Sequence, residues 1–113
     1  MITIYHNPRC RKSREGLQIL EDSGKAFNTV LYLENPPSEK ELKSIISKLG
    51  ISPIELVRKG EADWKENFKG KDLSDDKIIA AMVSYPKLIE RPIVIKDTKA
   101  VIGRPPENIK VLL

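Results

Sequence analysis

The sequence is poor in the side chains that form cross-links or stack on nucleic acid bases. Its 113 residues contain one cysteine and one histidine, and aromatic residues make up 5%. A single cysteine cannot form an internal disulfide, so we expect a reducing, cytoplasmic location for the protein. The low aromatic content argues against nucleic acid as a partner, because the stacking that binds single strands and RNA has few side chains to use. We also expect no metal site and no bound cofactor.

Long hydrophobic runs are also missing. Hydrophobic residues make up 40% of the chain and charged residues 32%, and no apolar run approaches the roughly 20 residues that cross a bilayer. The first residues lack the pattern of a secretory leader. We therefore expect no contact with a membrane, and the length predicts one domain over residues 1–113.

The charge balance is positive, with a formal net charge of +4 and an isoelectric point near 9.2. Such an excess favours anionic small molecules as ligands. Non-specific contact of a basic face with duplex nucleic acid stays open, and its salt dependence would reveal it.

The cysteine lies in the segment whose residue pattern most clearly indicates a reactive site. Residues 2–5 are typical of a strand, Asn7 and Pro8 favour a turn, and helical spacing follows, which places Cys10 at a helix N-terminus. Free backbone N–H groups and the helix dipole stabilise an anion there, whether a thiolate or a bound oxyanion. His6 would favour the thiolate if protonated, or relay a proton if neutral.

Each of these residues also has a plainer interpretation. A lone cysteine is often a buried, unreactive side chain, and His6 alone would be a solvent-exposed residue at a strand end. Burial of Cys10 in an apolar core conflicts with its neighbours, since four cationic residues surround it, Arg9, Arg11, Lys12 and Arg14. We therefore favour a reactive thiol. Which cations face the sulfur does not follow from the sequence.

Turn and capping signals divide the rest of the chain into short elements. A helix over residues 12–22 and a strand over residues 27–33 follow the first strand, which favours a parallel pair with a right-handed crossover. The next segments are helical: one begins at a Ser38/Glu41 capping box and ends at Gly50, a short one begins at Ser52-Pro53 and ends near Arg58, and one is capped by Ser74. Residues 59–71 are expected to form a loop or an irregular helix, with Trp64 in the core.

The last third of the sequence predicts a hairpin and a final helix. Two β runs, residues 93–95 and 100–102, are separated by a charged turn, and Pro105-Pro106 begins a helix. The whole order indicates an α/β fold with a mixed four-stranded sheet and a helical insertion between strands 2 and 3. A cysteine after the first strand is the layout of a thioredoxin-like domain, and by that likeness we predict a cis peptide bond before Pro92.

Several motifs together resemble the glutaredoxin-dependent arsenate reductase family, most of all a shorter branch of it. The match covers nearly the whole chain in order, in the segments Tyr5-His6-Asn7-Pro8 with Cys10 and Ser13, Leu31-Tyr32-Leu33-Glu34-Asn35-Pro36-Pro37, Arg58-Lys59, Glu90-Arg91-Pro92-Ile93-Val94 and Ile102-Gly103-Arg104-Pro105-Pro106-Glu107. Physical reasoning from the residues alone predicts a nucleophilic thiol beside an anion site formed by arginines, without saying which ones.

The resemblance assigns a role to each matching residue. It implies that Cys10 is the nucleophile and that His6 helps to ionise it. It also implies that three arginines, Arg58, Arg91 and Arg104, bind arsenate. Glutathione would be the co-substrate and glutaredoxin the partner that resolves the intermediate. Ser13 offers the thiol a hydroxyl donor but no second thiol, and it can equally satisfy a backbone N–H in the first helical turn.

A second class of function remains open. The same family fold also serves in redox regulators that bind RNA polymerase and usually carry two cysteines spaced C-x-x-C. Serine at position 13 excludes that internal disulfide switch, and the three arginines favour the enzyme. Co-purification with the polymerase would distinguish the two.

Overall fold

A computed structural model describes all residues, 1–113. The chain forms two compact units. The first contains Met1–Asn35 and Arg91–Leu113, and the second contains Pro36–Glu90. A single cooperative domain over residues 1–113 therefore stays a prediction. None of the helices is both long and apolar enough to cross a bilayer.

The first unit contains a mixed four-stranded sheet, which confirms the predicted α/β, thioredoxin-like fold. The strand order is β2-β1-β3-β4, with bounds β1 Ile2–His6, β2 Phe27–Leu31, β3 Ile93–Lys96 and β4 Lys99–Ile102. Strands β1 and β2 are parallel, and His6 is paired with Leu31 in their register. The other pairs are antiparallel, including the predicted hairpin of β3 and β4.

Strand β2 is shorter than the sequence predicted. Its last residue is Leu31, whose carbonyl accepts hydrogen bonds from the N–H groups of Glu34 (3.0 Å) and Asn35 (2.9 Å). Those bonds close a turn and take the chain away from the sheet. The hydrophobic run continues to Leu33, but its last two residues lie within this turn, and Leu33 is exposed.

Two helical segments share a core with the sheet of the first unit. Helix α1 spans Arg11–Asp22, and a 3₁₀ helix spans Pro106–Leu112 where the sequence predicted the final helix. The buried cluster consists of Ile2, Ile4, Leu20, Val94, Ile109 and Leu112. The peptide bond before Pro92 is cis, as predicted, and so is the bond before Pro105, which was not predicted.

The second unit is helical, as the predicted insertion requires. It contains α2 (Glu39–Leu49), α3 (Ala62–Asn67), α4 (Asp75–Ser84) and two 3₁₀ turns, Pro53–Leu56 and Pro86–Leu88. The capping box at Ser38 is present, and Gly50 ends α2 with φ of 70° in the left-handed region, where glycine carries no steric penalty.

Residues 59–71 are more ordered than a loop, because helix α3 lies within them. Trp64 is buried, as predicted, and its ring stacks on Phe68 with centroids 5.5 Å apart. The Phe68 ring meets Tyr85 edge to face at 5.7 Å. This aromatic group anchors α3 within the second unit.

Candidate active site

A tight loop after β1 positions the cysteine. The carbonyl of Asn7 accepts a hydrogen bond from the Cys10 N–H (3.0 Å), and the Asn7 side-chain oxygen accepts one from the Arg9 N–H (3.0 Å). Cys10 is the N-cap residue of α1, with extended backbone angles (φ −96°, ψ 123°). The predicted placement of the thiol at a helix N-terminus is therefore confirmed.

The surroundings of Cys10 favour its thiolate. Partial burial by itself would raise the pKa of the thiol, but the backbone N–H of Ser13, the hydrogen bond and charge of Arg91 and the backbone N–H of Lys12 outweigh it. The net effect is a Cys10 pKa below the ordinary value of a cysteine. The sulfur is half-buried and remains accessible to a small reactant.

Two arginines from the far end of the chain come to the sulfur. The Nη1 atom of Arg104 lies 3.9 Å from Cys10 Sγ and 3.3 Å from the carbonyl oxygen of Arg91. Arg91 itself donates to the sulfur. Since Arg91 precedes β3 and Arg104 follows β4, the hairpin of these two strands holds both guanidinium groups at the N-terminus of α1.

His6 and Ser13 form a buried pair beside the thiol loop. His6 Nδ1 lies 2.6 Å from Ser13 Oγ, and the Asn7 N–H donates to the same oxygen at 2.9 Å. Burial lowers the pKa of His6, and the charge of Arg14 adds to the effect, while Ser13 partly offsets it. His6 is therefore neutral at pH 7. Of the two roles predicted for it, this favours a proton relay over a positive charge beside the thiolate.

The hydroxyl group of Ser13 has two partners, and neither is the thiol of Cys10. The hydroxyl oxygen is fully buried, accepts a hydrogen bond from the Asn7 N–H and contacts His6 Nδ1. The hydroxyl therefore satisfies a backbone N–H, which was the plainer of its two predicted roles, and the donor lies outside the helix. The contribution of Ser13 to the pKa of Cys10 comes from its backbone N–H. The tautomer of His6 decides which atom donates between the histidine and the serine.

Arg58, the third predicted arginine, belongs to the second unit. Its Nη1 atom lies 3.6 Å from Glu90 Oε1, and its buried Nε atom makes no hydrogen bond within the protein. Backbone bonds on either side of a Val57–Ile89 bridge hold the two charged residues as diagonal neighbours. The first unit thus brings together five of the six predicted site residues, and the role of Arg58 stays a prediction.

The basic residues around Cys10 in sequence are directed elsewhere. Arg11 and Lys12 pair with Glu15 at 3.1 Å and 3.9 Å, and Arg14 donates to the Pro8 carbonyl at 2.9 Å. Sequence reasoning treated Asn7 only as a turn former. The combination of asparagine and proline before a helix could have indicated its bonds to the loop. Nothing in the sequence indicated Glu90 as the partner of Arg58.

Comparisons with known proteins identify the family of the chain. The model of the ArsC family matches residues 5–112. The chain belongs to the ArsC family. This confirms the family resemblance that the sequence motifs indicated.

Individual relatives cover the chain from end to end. An Escherichia coli K12 protein, YfgD, which is uncharacterised, is 48% identical over 96% of this chain and 92% of its own length. An arsenate reductase of Neisseria meningitidis serogroup A is 43% identical over 99% of this chain and 97% of its own length. The solved structure of an arsenate reductase from Vibrio cholerae has a TM-score of 0.94 and 46% identity, and it covers 99% of this chain and 97% of that one. The family's fold is thus shared over the full length.

Proposed function

We propose that this protein is an oxidoreductase that reduces arsenate to arsenite through a covalent adduct on Cys10. The observation that carries the proposal is the meeting of a half-buried thiol of lowered pKa with Arg91 and Arg104 at one helix N-terminus. Family membership and the relatives named arsenate reductases support arsenate as the substrate.

The first step is nucleophilic attack of the Cys10 thiolate on arsenic(V). A sulfur–arsenic bond forms and one arsenic–oxygen bond breaks, so that a hydroxide leaves and takes up a proton as water. The guanidinium groups of Arg91 and Arg104 offset the negative charge of the remaining oxygens, which lowers the barrier to attack. The backbone N–H groups at the start of α1 hold the sulfur in its charged form beforehand.

The second stage transfers two electrons to arsenic. Glutathione supplies one thiol and glutaredoxin the other, acting on the adduct in turn. Overall, arsenic acid and two thiols give arsenous acid, one disulfide and one water. Because the chain has one cysteine, it cannot supply a second thiol, and the resolving thiol must come from another molecule. A reducing cytoplasm provides both reductants.

The neighbouring residues have supporting roles in this proposal. Neutral His6 and Ser13, 2.6 Å apart, can pass a proton between solvent and the thiol loop when the hydroxide leaves. Arg58 is assigned to the oxyanion by family resemblance alone. A guanidinium presents parallel donors that match an oxyanion better than an ammonium does.

The test is reduction of arsenate in the presence of glutathione and glutaredoxin, followed by arsenite formation. Wild-type protein should turn over, and Cys10→Ser should abolish turnover because no thiol adduct forms. Arg91→Lys should retain the charge and the fold but lose at least tenfold in kcat/KM, since the bidentate geometry is lost. Arg11→Ala, which removes a neighbouring arginine bound only to Glu15, is the matched control and should keep its activity.

Absence of turnover by the wild-type protein would defeat the arsenate assignment. Turnover that survives in Cys10→Ser would defeat the covalent mechanism while leaving the activity intact. A loss in Arg11→Ala as large as that in Arg91→Lys would show that activity does not depend specifically on the arginine at the sulfur.

A further inference from the structure

A cavity of about 300 Å³ lies within the first unit, beside the loop that carries the thiol. It is located at the carboxyl ends of the parallel strands β1 and β2, where His6 and Leu31 are register partners and both line it. In open α/β sheets, ligands bind at such edges. Its volume equals that of roughly ten liquid water molecules, which suits a small peptide and excludes a large ligand.

Opposite charges line this cavity on two different loops. Arg9 belongs to the loop after β1 and Glu34 to the turn after β2. Both residues are exposed, and neither side chain makes a hydrogen bond or ion pair within the protein. The two side chains do not pair with each other. A ligand with a carboxylate and an ammonium would complement both at once.

The middle of the cavity is apolar. Leu31 and Leu33 line it together with Pro8. Leu33 is one of only three large hydrophobic residues that the chain exposes, at 36% of its surface. An exposed apolar side chain in a concave site, between charges of opposite sign, is typical of a place where a ligand's aliphatic part is covered.

The position of the cavity relative to the thiol loop further restricts which ligand it can bind. Arg9 directly precedes Cys10, and His6 lines the cavity on one edge while its Nδ1 atom contacts Ser13. Glu34 disfavours arsenate there, because a carboxylate repels an oxyanion. The cavity is therefore separate from the oxyanion position between Arg91 and Arg104. A second reactant of the proposed reaction would lie here, beside the residue that precedes the nucleophile.

We propose that this cavity binds the thiol co-substrate, glutathione, with a carboxylate of the peptide on Arg9 and its ammonium on Glu34. Leu31 and Leu33 contact the aliphatic part of its chain, and the thiol is directed toward the Cys10 adduct. This inference rests on the proposed function for its choice of a thiol peptide. The recognition itself follows from the two unpaired charges and the apolar surface between them.

The experiment titrates S-methylglutathione, which cannot react, into isotope-labelled protein and follows backbone amide shifts. Residues 6–9 and 31–34 should shift together. Glu34→Gln should weaken binding about threefold to fivefold, the loss of one exposed ion pair. General electrostatics predicts the reverse, since glutathione is net negative and the variant removes a negative charge. The sign of this change decides between specific recognition and simple attraction.

Matched variants complete the design. Arg9→Ala should weaken binding by a similar factor. Arg11→Ala removes the same charge from the first residue of α1, which does not line the cavity, and should have a smaller effect. Glu21→Gln, an exposed site on α1, is the control for Glu34→Gln. No binding by the wild type, shifts outside the two loops, or tighter binding by Glu34→Gln would each overturn the proposal.

Kinetics separate this inference from the proposed function. In the arsenate assay, Glu34→Gln should raise KM for glutathione and leave KM for arsenate unchanged. If arsenate is not reduced but S-methylglutathione still binds with the predicted dependence on Arg9 and Glu34, the substrate assignment fails and the peptide site stands. If arsenate is reduced and Glu34→Gln leaves KM for glutathione unchanged, the peptide site fails alone.

Discussion

At the scale of single residues, the chemistry depends on how Cys10 is kept ionised. Partial burial opposes ionisation, and the backbone N–H groups of α1 together with Arg91 overcome it. The helix contribution follows from local sequence, because any N-cap thiol gains it. The arginine contribution does not, because Arg91 is remote in sequence and the nearer cations are directed elsewhere.

The first prediction concerns the pKa of Cys10. The rate of alkylation by iodoacetamide should rise with pH and reach half its maximum below about 8.5, the value of a free cysteine. Arg91→Ala should move this midpoint to higher pH, because it removes both a hydrogen bond and a positive charge from the thiolate. At neutral pH the variant should therefore react more slowly. Arg11→Ala is the control, and an equal shift in both variants would contradict the assignment.

The second prediction concerns the buried hydroxyl of Ser13. Ser13→Ala leaves the Asn7 N–H and His6 Nδ1 without their partner, so we expect a loss of about 1–3 kcal/mol in the free energy of unfolding. Ser44→Ala, an exposed position in α2, also exchanges a helical serine for alanine and should stay within about 0.5 kcal/mol. Urea unfolding measures both. Equal stabilities would show that the buried bonds contribute nothing net.

At the scale of elements, local signals predicted the helices and strands well where capping and turn residues were strong. The capping box of α2, the glycine at its end and the serine cap of α4 are all present. Strand β2 is present, but its predicted end at residue 33 was wrong, because a turn around the Leu31 carbonyl ends the strand although the hydrophobic run continues. It was incomplete for residues 59–71, where aromatic packing stabilises α3 against weak local preference.

The third prediction tests how closely α1 approaches its neighbours. A Cβ added at Gly16 would lie 2.8 Å from both Pro92 Cγ and Ile109 Cδ1, and both of those side chains are buried. Gly16→Ala should therefore destabilise the protein by about 1–3 kcal/mol, although alanine favours a helix. Gly60→Ala meets nothing within 4 Å and should change stability by less than about 0.5 kcal/mol. Thermal unfolding of the pair gives the comparison, and a stabilised Gly16→Ala would refute the contact.

At the scale of the whole molecule, the chain divides into two compact units, each containing about half the residues. The first unit is built from two chain segments, Met1–Asn35 and Arg91–Leu113, which are connected through the second. Units of this size bury a smaller fraction of their surface than larger domains do, and they are marginally stable alone. We therefore retain the prediction of one domain over residues 1–113.

The fourth prediction follows from that size argument. Calorimetry should show one unfolding transition with equal calorimetric and van't Hoff enthalpies, of about 80 kcal/mol at the midpoint. Circular dichroism and Trp64 fluorescence, which reports on the second unit, should give the same midpoint. Two separated transitions would show that the units unfold independently.

Sequence by itself determined that a thiol lies at a helix N-terminus after a strand and that the fold is α/β, because turn chemistry and hydrophobic periodicity act over a few residues. Only the tertiary structure decided which cations reach the sulfur and what the Ser13 hydroxyl binds. The hairpin of β3 and β4 brings Arg91 and Arg104 to Cys10 through sheet pairing across the length of the chain. No local pattern encodes that meeting, since it depends on packing between segments far apart in sequence.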